Sequence, residues 1–269
     1  MTQIGICKLC NKTKELRISH AIGDSIFKRI FRNNSGNAIS ISDTNDEVAY
    51  SSDSWAEHQQ CSDCENLLNR EYEKYSLGVL RAQDVKVSKR DIGIVFDEID
   101  LHRLNMYFIS LFWRAANSGH PAYKNTIISQ PDNEYLREAI LNNKSVSINK
   151  FSIKISRLTD RTPKDGFSQE ELKGLIVSPF CRVYHETKIN HISVCFTFEG
   201  FFIEVFMPGL DSGRREFIGV IYESRTSLIV PYLDIFDIKE IVAVMVDGYG
   251  KHAEGKSKVK AKKSIQRKV

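Results

Sequence analysis

The chain has 269 residues, 42% of them hydrophobic, enough to bury a sizeable core in one large domain or two small ones. No apolar run approaches the length of a membrane span and Met1–Gly5 lacks the basic-then-apolar opening of a secretion signal, so the expected compartment is the reducing cytoplasm, with no membrane partner. The net charge of +4 is unevenly spread: Lys251 to Val269 holds eight Lys/Arg against Glu254 alone, and taking these from the totals leaves 30 basic and 33 acidic residues in the body.

In chain order, the first signal is Cys7-Lys8-Leu9-Cys10, with Ile4, Ile6 and Leu9 suggesting a short hairpin around it. Its counterpart is Cys61-Ser62-Asp63-Cys64, which leads into Glu65–Glu73, the start of a helix. Two thiols spaced two residues apart hold two adjacent positions of a tetrahedral site, so the pairs together supply the four ligands of one structural Zn²⁺: Cys7, Cys10, Cys61 and Cys64. A disulfide or redox pair fits less well, because neither pair sits in a βαβ context and the compartment is reducing. A knuckle on a hairpin plus a knuckle at a helix N-terminus is the treble-clef arrangement. Between them, Ile22, Ile26, Phe27, Ile30 and Phe31 fall near helical spacing, and the Ser/Asn/Asp-rich stretch from Asn33 to Ser54 reads as an exposed loop or irregular hairpin.

A connector through Lys86–Asp91 leads to the clearest helix, Asp97 to Asn117, where Leu101, Leu104, Phe108, Leu111, Phe112 and Ala115 line one face. Trp113 belongs to the core, and Arg114 is expected to pair with an acidic neighbour or to face a site. A second helix is expected over Asn133–Asn142. The pattern then turns to strands: Phe151–Ile155, a hairpin of His191–Phe198 and Phe201–Phe206 about Glu199-Gly200, then Phe217–Tyr222 and Ser227–Val230. Ile235–Val246 fits a buried strand or a helix. Cys181 and Cys195 read as buried small hydrophobes. The expected fold is α+β, with a zinc module over 1–78, a helical region over 79–150, an antiparallel β-rich domain over 151–247 and a flexible basic tail over 248–269. Such a tail suits DNA or RNA, or serves as a solvated solubility segment; a protein partner also fits.

Ser19-His20-Ala21-Ile22 after the first knuckle, and Cys61-Ser62-Asp63-Cys64-Glu65 opening a helix, resemble the HNH endonuclease family, more specifically a group of bacterial HNH-like proteins of poorly defined function; Leu111–Arg114 also resembles that group. The resemblance implies nucleic acid cleavage with a second metal, Mg²⁺ or Mn²⁺, beside the structural zinc, and a role in antiviral defence or mobile elements, where many HNH-like proteins work. It places His20 at the general-base position and Glu65 where a metal-binding His or Asn usually stands. Ser19 stands where the family often has a metal-binding Asp, and the family's middle Asn has no counterpart near Trp55–His58, where Glu57 or His58 is the candidate substitute. These departures imply an altered active site or a non-catalytic binding module. His20 fits a structural histidine beside the zinc better than a base, and Glu71 and Glu73 are accounted for by the helix dipole.

Overall fold

Strands β1 (Gln3–Ile6) and β2 (Thr13–His20) pair antiparallel across the first cysteine turn, and β2 turns directly into helix α1 (Asp24–Asn33), which buries Ile26, Phe27 and Ile30. The structure, a computed structural model, describes residues 3–33, 36–41, 47–185 and 191–259. Part of the polar stretch expected as a loop, 34–35 and 42–46, lies outside them, as do residues 260–269 of the basic tail. Flanking the second of these stretches in the chain, β3 (Ala38–Ser40) and β4 (Ala49–Ser51) form a small hairpin. Strand β5 (Ala56–Cys61) returns along β2 and completes a three-stranded sheet in the order β1-β2-β5.

From β5 the chain enters one long helical run made of α2 (Ser62–Leu68), a π turn (Asn69–Glu73) and α3 (Lys74–Leu80). The expected connector is instead strand β6 (Lys86–Arg90), paired with β7 (Gly93–Asp97). Every residue of β6 is exposed, so it has no alternation to read; charge on an edge strand also discourages edge-to-edge pairing. The main helix α4 spans Leu101–Ala116, starting later than the hydrophobic pattern suggested because Asp97 closes β7 and Asp100 caps the helix through the Arg103 amide at 3.0 Å. It is buried almost throughout, Trp113 included. Helix α5 (Gln130–Leu141), capped by Ser129, packs beside it.

The remaining chain builds most of a seven-stranded sheet. Strand β8 (Ser152–Thr159) leads through α6 (Gln169–Lys173) to β9 (Val177–Tyr184), β10 (His191–Phe198) and β11 (Phe201–Met207). After α7 (Ser212–Arg215), β12 (Leu228–Asp234) passes into α8 (Lys239–Ala253). The strand order is β6-β7-β12-β8-β11-β10-β9, with β12 and β8 the one parallel pair. The fold is mixed α+β, with a cysteine cluster in its N-terminal region and α4 packed between helices and sheet.

Three expectations need correction and one open alternative is decided. Phe217–Tyr222 is not a strand: Gly219 sits at φ +90°, breaking the extended path, and only Val220 bridges to Lys154. Phe217 and Ile218 are exposed while Val220 and Ile221 are buried, so the run does not alternate as a half-buried strand would. The ambiguous Ile235–Val246 is a 3₁₀ turn (Ile235–Asp237) followed by α8. That helix carries the chain to Ala253, and Lys256 and Lys258 then exchange backbone hydrogen bonds with Val48, so the first part of the expected basic tail is folded. Cys195 is buried as expected, but Cys181 is exposed.

Candidate metal centre and adjoining cleft

The four cysteines come together from three elements. Cys7 follows β1, in a turn closed by the Cys7 amide donating to the Lys12 carbonyl and the Asn11 amide donating to the Cys7 carbonyl (3.0 and 2.8 Å), with Asn11 in the left-handed region at φ 56°. Cys61 ends β5 and Cys64 lies in the first turn of α2. All four sulfurs lie within 4.8 Å of one another, and Cys10 Sγ and Cys61 Sγ are 3.9 Å apart. A zinc ion with Zn–S bonds of ~2.3 Å in a tetrahedron requires sulfurs ~3.8 Å apart, so the set fits a metal ion such as zinc. The Cys61 amide donates to Cys7 Sγ at 3.3 Å. A hydrogen bond from the Cys64 thiol is the main cause that holds Cys7 low, at about 4, against the opposing effect of burial; the same bond drives Cys64 upward. Sulfur at Cys7 is thus favoured as thiolate, the form that binds metal. The knuckle is further held by Arg137 of α5, whose Nη1 donates to the Leu9 carbonyl at 3.0 Å, and by Lys8, which bonds Asn117 and Glu57.

Beside this centre opens a cleft of ≈ 500 Å³ whose walls include His20, Glu65, Asn69, Glu73, Arg81 and Arg114. His20, the last residue of β2, has Nε2 3.1 Å from Ser54 Oγ and 3.8 Å from an Asp24 carboxylate oxygen. Burial pushes its pKa below the ordinary 6.5, with the Asp24 charge opposing. Its imidazole is therefore neutral at pH 7. Glu65, one residue past Cys64, is half-buried; desolvation raises its carboxyl, the charge of Arg114 works against this, and Oε1, itself shielded from solvent, has no hydrogen-bond partner. Glu73 reaches the cleft from the end of the π turn. A Cβ on Gly23 would lie 2.3 Å from Glu73 Oε1, so glycine at 23 is what leaves that carboxylate its room.

Arg114 enters from the last turn of α4 and is 2% exposed. Its Nη1 donates to the His20 carbonyl at 2.6 Å and its Nη2 lies 3.3 Å from Glu73 Oε2, while Nε has no partner. The residues expected near the family's middle Asn are engaged elsewhere. Glu57 accepts from Lys8, from Gln59 at 2.6 Å and from the Gly119 amide at 2.8 Å, and His58 Nδ1 faces the Leu16 carbonyl at 3.1 Å. Among the described residues, the four cysteines are the only set of His, Cys, Asp and Glu whose ligand atoms converge on one position; His20, Glu65 and Glu73 form no second such set.

The fold thus brings Cys7, Cys10, Cys61 and Cys64 together and lines one cleft with both His20 and Glu65. Sequence reasoning passed over Glu73 because helix-dipole chemistry already explained it. Arg114 carried a usable signal, a lone cation closing the apolar run Leu111–Trp113. Comparison with protein-family models, with curated proteins and with solved structures finds no match in any of the three. No described helix is long and apolar enough to cross a membrane.

Proposed function

We propose that this is a zinc-stabilised HNH-like protein whose cleft hydrolyses phosphodiester bonds in nucleic acid. The reading is carried by one observation: the residue ending the strand after the first knuckle, His20, and the residue following the second, Glu65, line one cleft rooted on the cysteine cluster. Zinc is structural in this reading, fixing the end of β5 and the start of α2 so that the cleft keeps its shape. His20, kept neutral by burial, acts as general base. It takes a proton from water as the water oxygen bonds to phosphorus; the bond from phosphorus to the leaving oxygen breaks, and that oxygen takes a proton from solvent. Glu65 stands at the family's metal-side position. The residues present do not fit a ready-made Mg²⁺ or Mn²⁺ cage, which needs several converging oxygens, and no step here runs through such an ion.

The test is nicking of supercoiled plasmid and of labelled DNA and RNA strands by zinc-loaded protein, with and without added Mg²⁺ or Mn²⁺. Cleavage by the wild type that falls at least 100-fold in His20→Ala is expected, in line with the 10²–10⁴-fold typical of general-base catalysis. Intact substrates under every condition, or equal cutting by His20→Ala, would leave the non-catalytic binding module as the reading.

A further inference from the structure

In HNH enzymes a divalent cation supplies positive charge beside the scissile phosphate. We propose that in this chain the guanidinium of Arg114 supplies that charge, contacting the phosphate oxygen directly and keeping a second metal ion out of the cleft. The inference rests on the hydrolase reading for its substrate, but its structural core stands apart from it.

Three observations carry it. First, Arg114 is fixed in the cleft wall, anchored to the main chain of the proposed base through the 2.6 Å bond to the His20 carbonyl. Guanidinium and imidazole are thereby held in register, since any shift of β2's end moves both. Second, the guanidinium is incompletely used. Of its five N–H donors, one meets His20 and one meets Glu73 at a long 3.3 Å, while the Nε–H is buried without a partner. A buried charged donor without an acceptor leaves the guanidinium under-satisfied, and the second hydrogens of Nη1 and Nη2, on a side chain that lines the cleft, are the donors offered to an anionic oxygen there. Third, the two carboxylates nearest this cation share its cleft: Glu73 pairs with Arg114, and Glu65 lines the same wall. Ser19, where the family often has a metal-binding Asp, carries no carboxylate, and Glu57, the candidate for the family's middle Asn, is spent on Lys8, Gln59 and the Gly119 amide. A resident guanidinium repels an incoming doubly charged ion and occupies one of its ligands. Arginine suits this task better than lysine, because its planar fork stays charged and can hold the His20 carbonyl, Glu73 and a phosphate oxygen at once.

The test uses the full zinc-loaded chain and Mn²⁺ alone, read by loss of the free-ion signal in electron paramagnetic resonance. Wild type and Arg114→Lys are expected to leave Mn²⁺ free up to millimolar concentration. Arg114→Gln, checked for folding by circular dichroism and zinc content, is expected to gain one Mn²⁺ site at least tenfold tighter, lost again when Glu65→Gln is added. A wild-type Mn²⁺ site that disappears in Glu65→Gln would overturn the proposal, as would a folded Arg114→Gln that gains none. If Arg114→Gln does not fold, the wild-type and Arg114→Lys titrations decide. In the nicking assay, cleavage is expected without added divalent cation and is lost in Arg114→Gln; cleavage that requires Mg²⁺ or Mn²⁺ would overturn the proposal. A chain that cuts nothing removes the hydrolase reading, while the titration still decides whether Arg114 excludes the ion.

Discussion

Glu199-Gly200 joins β10 to β11 as a two-residue hairpin, with φ of +52° and +73°. Turns of this kind favour Asn-Gly, because a non-glycine side chain in the left-handed region costs ~1 kcal/mol and Asn tolerates it best. Turn chemistry alone therefore predicts that Glu199→Asn stabilises the protein. The surroundings argue the reverse. Glu199 is 2% exposed and accepts from Arg29 Nη1 at 2.9 Å and from Arg81 Nε and Nη2 at 3.0 and 2.6 Å, joining α1 and the end of α3 to the sheet. Its carbonyl also accepts from Arg157 Nη1 at 3.0 Å. Removing one partner of a buried ion pair typically costs ~3–5 kcal/mol. Arg29 and Arg81 remain 30% and 21% exposed, so the lower end applies. A loss of ~3 kcal/mol set against a gain of ~1 leaves Glu199→Asn about 2 kcal/mol less stable, or roughly 4–8 °C in melting temperature. Urea unfolding and a thermal scan of zinc-loaded protein read this directly. Unchanged or increased stability would refute the claim that the ion cluster, rather than the turn, governs residue 199.

Other outcomes follow from the same structure. Metal analysis of purified protein should find one zinc per chain, and Cys64→Ser should lose that metal and melt the β1-β2-β5 sheet first, seen as amide exchange confined to the N-terminal region. The pH dependence has a defined sign. His20 has its pKa lowered in the fold, so the unfolded chain takes up the proton first as pH falls below about 6.5. This residue's contribution to stability is thus complete above that pH and declines from there down to its folded pKa, a slope that His20→Gln should remove from a urea series. Hydrolysis through His20 should correspondingly hold its plateau below pH 6.5. Deleting residues 260–269, which contain five Lys/Arg, should flatten the salt dependence of nucleic acid binding, by ~0.9 in logarithmic slope for each phosphate the tail had neutralised; an unchanged slope would remove the tail from the interface.

The parts of this fold that were legible in the sequence rest on short-range pattern. The cysteine pairs, the apolar face of α4 and the β10–β11 hairpin each express one period or one spacing, and each forms as read. Patterns failed where tertiary setting decides. Strand β6 has no buried face to alternate, so it resembled a linker. Phe217–Tyr222 had the composition of a strand, but the backbone at Gly219 takes a conformation that no composition announces. The cleft was half legible. His20 and Glu65 are placed by the resemblance of Ser19–Ile22 and Cys61–Glu65 to the HNH family, whereas Glu73 depends on the π turn that it ends. That turn adds a residue to the helical repeat and changes which side chain faces inward, a shift that spacing rules built on 3.6 residues do not anticipate.

Arg114 lies more than thirty residues beyond the end of α3, yet it forms part of the wall around His20. The N-terminal unit consequently borrows a piece of its own interior from the helix that also organises the sheet. A fragment stopping after α3 would keep all four sulfurs and still lack one side of the cavity, so metal loading and cavity integrity are separable properties of this polypeptide. Transplanting the cysteine-bearing segment into another scaffold would carry the clasp across without the chamber it helps to close.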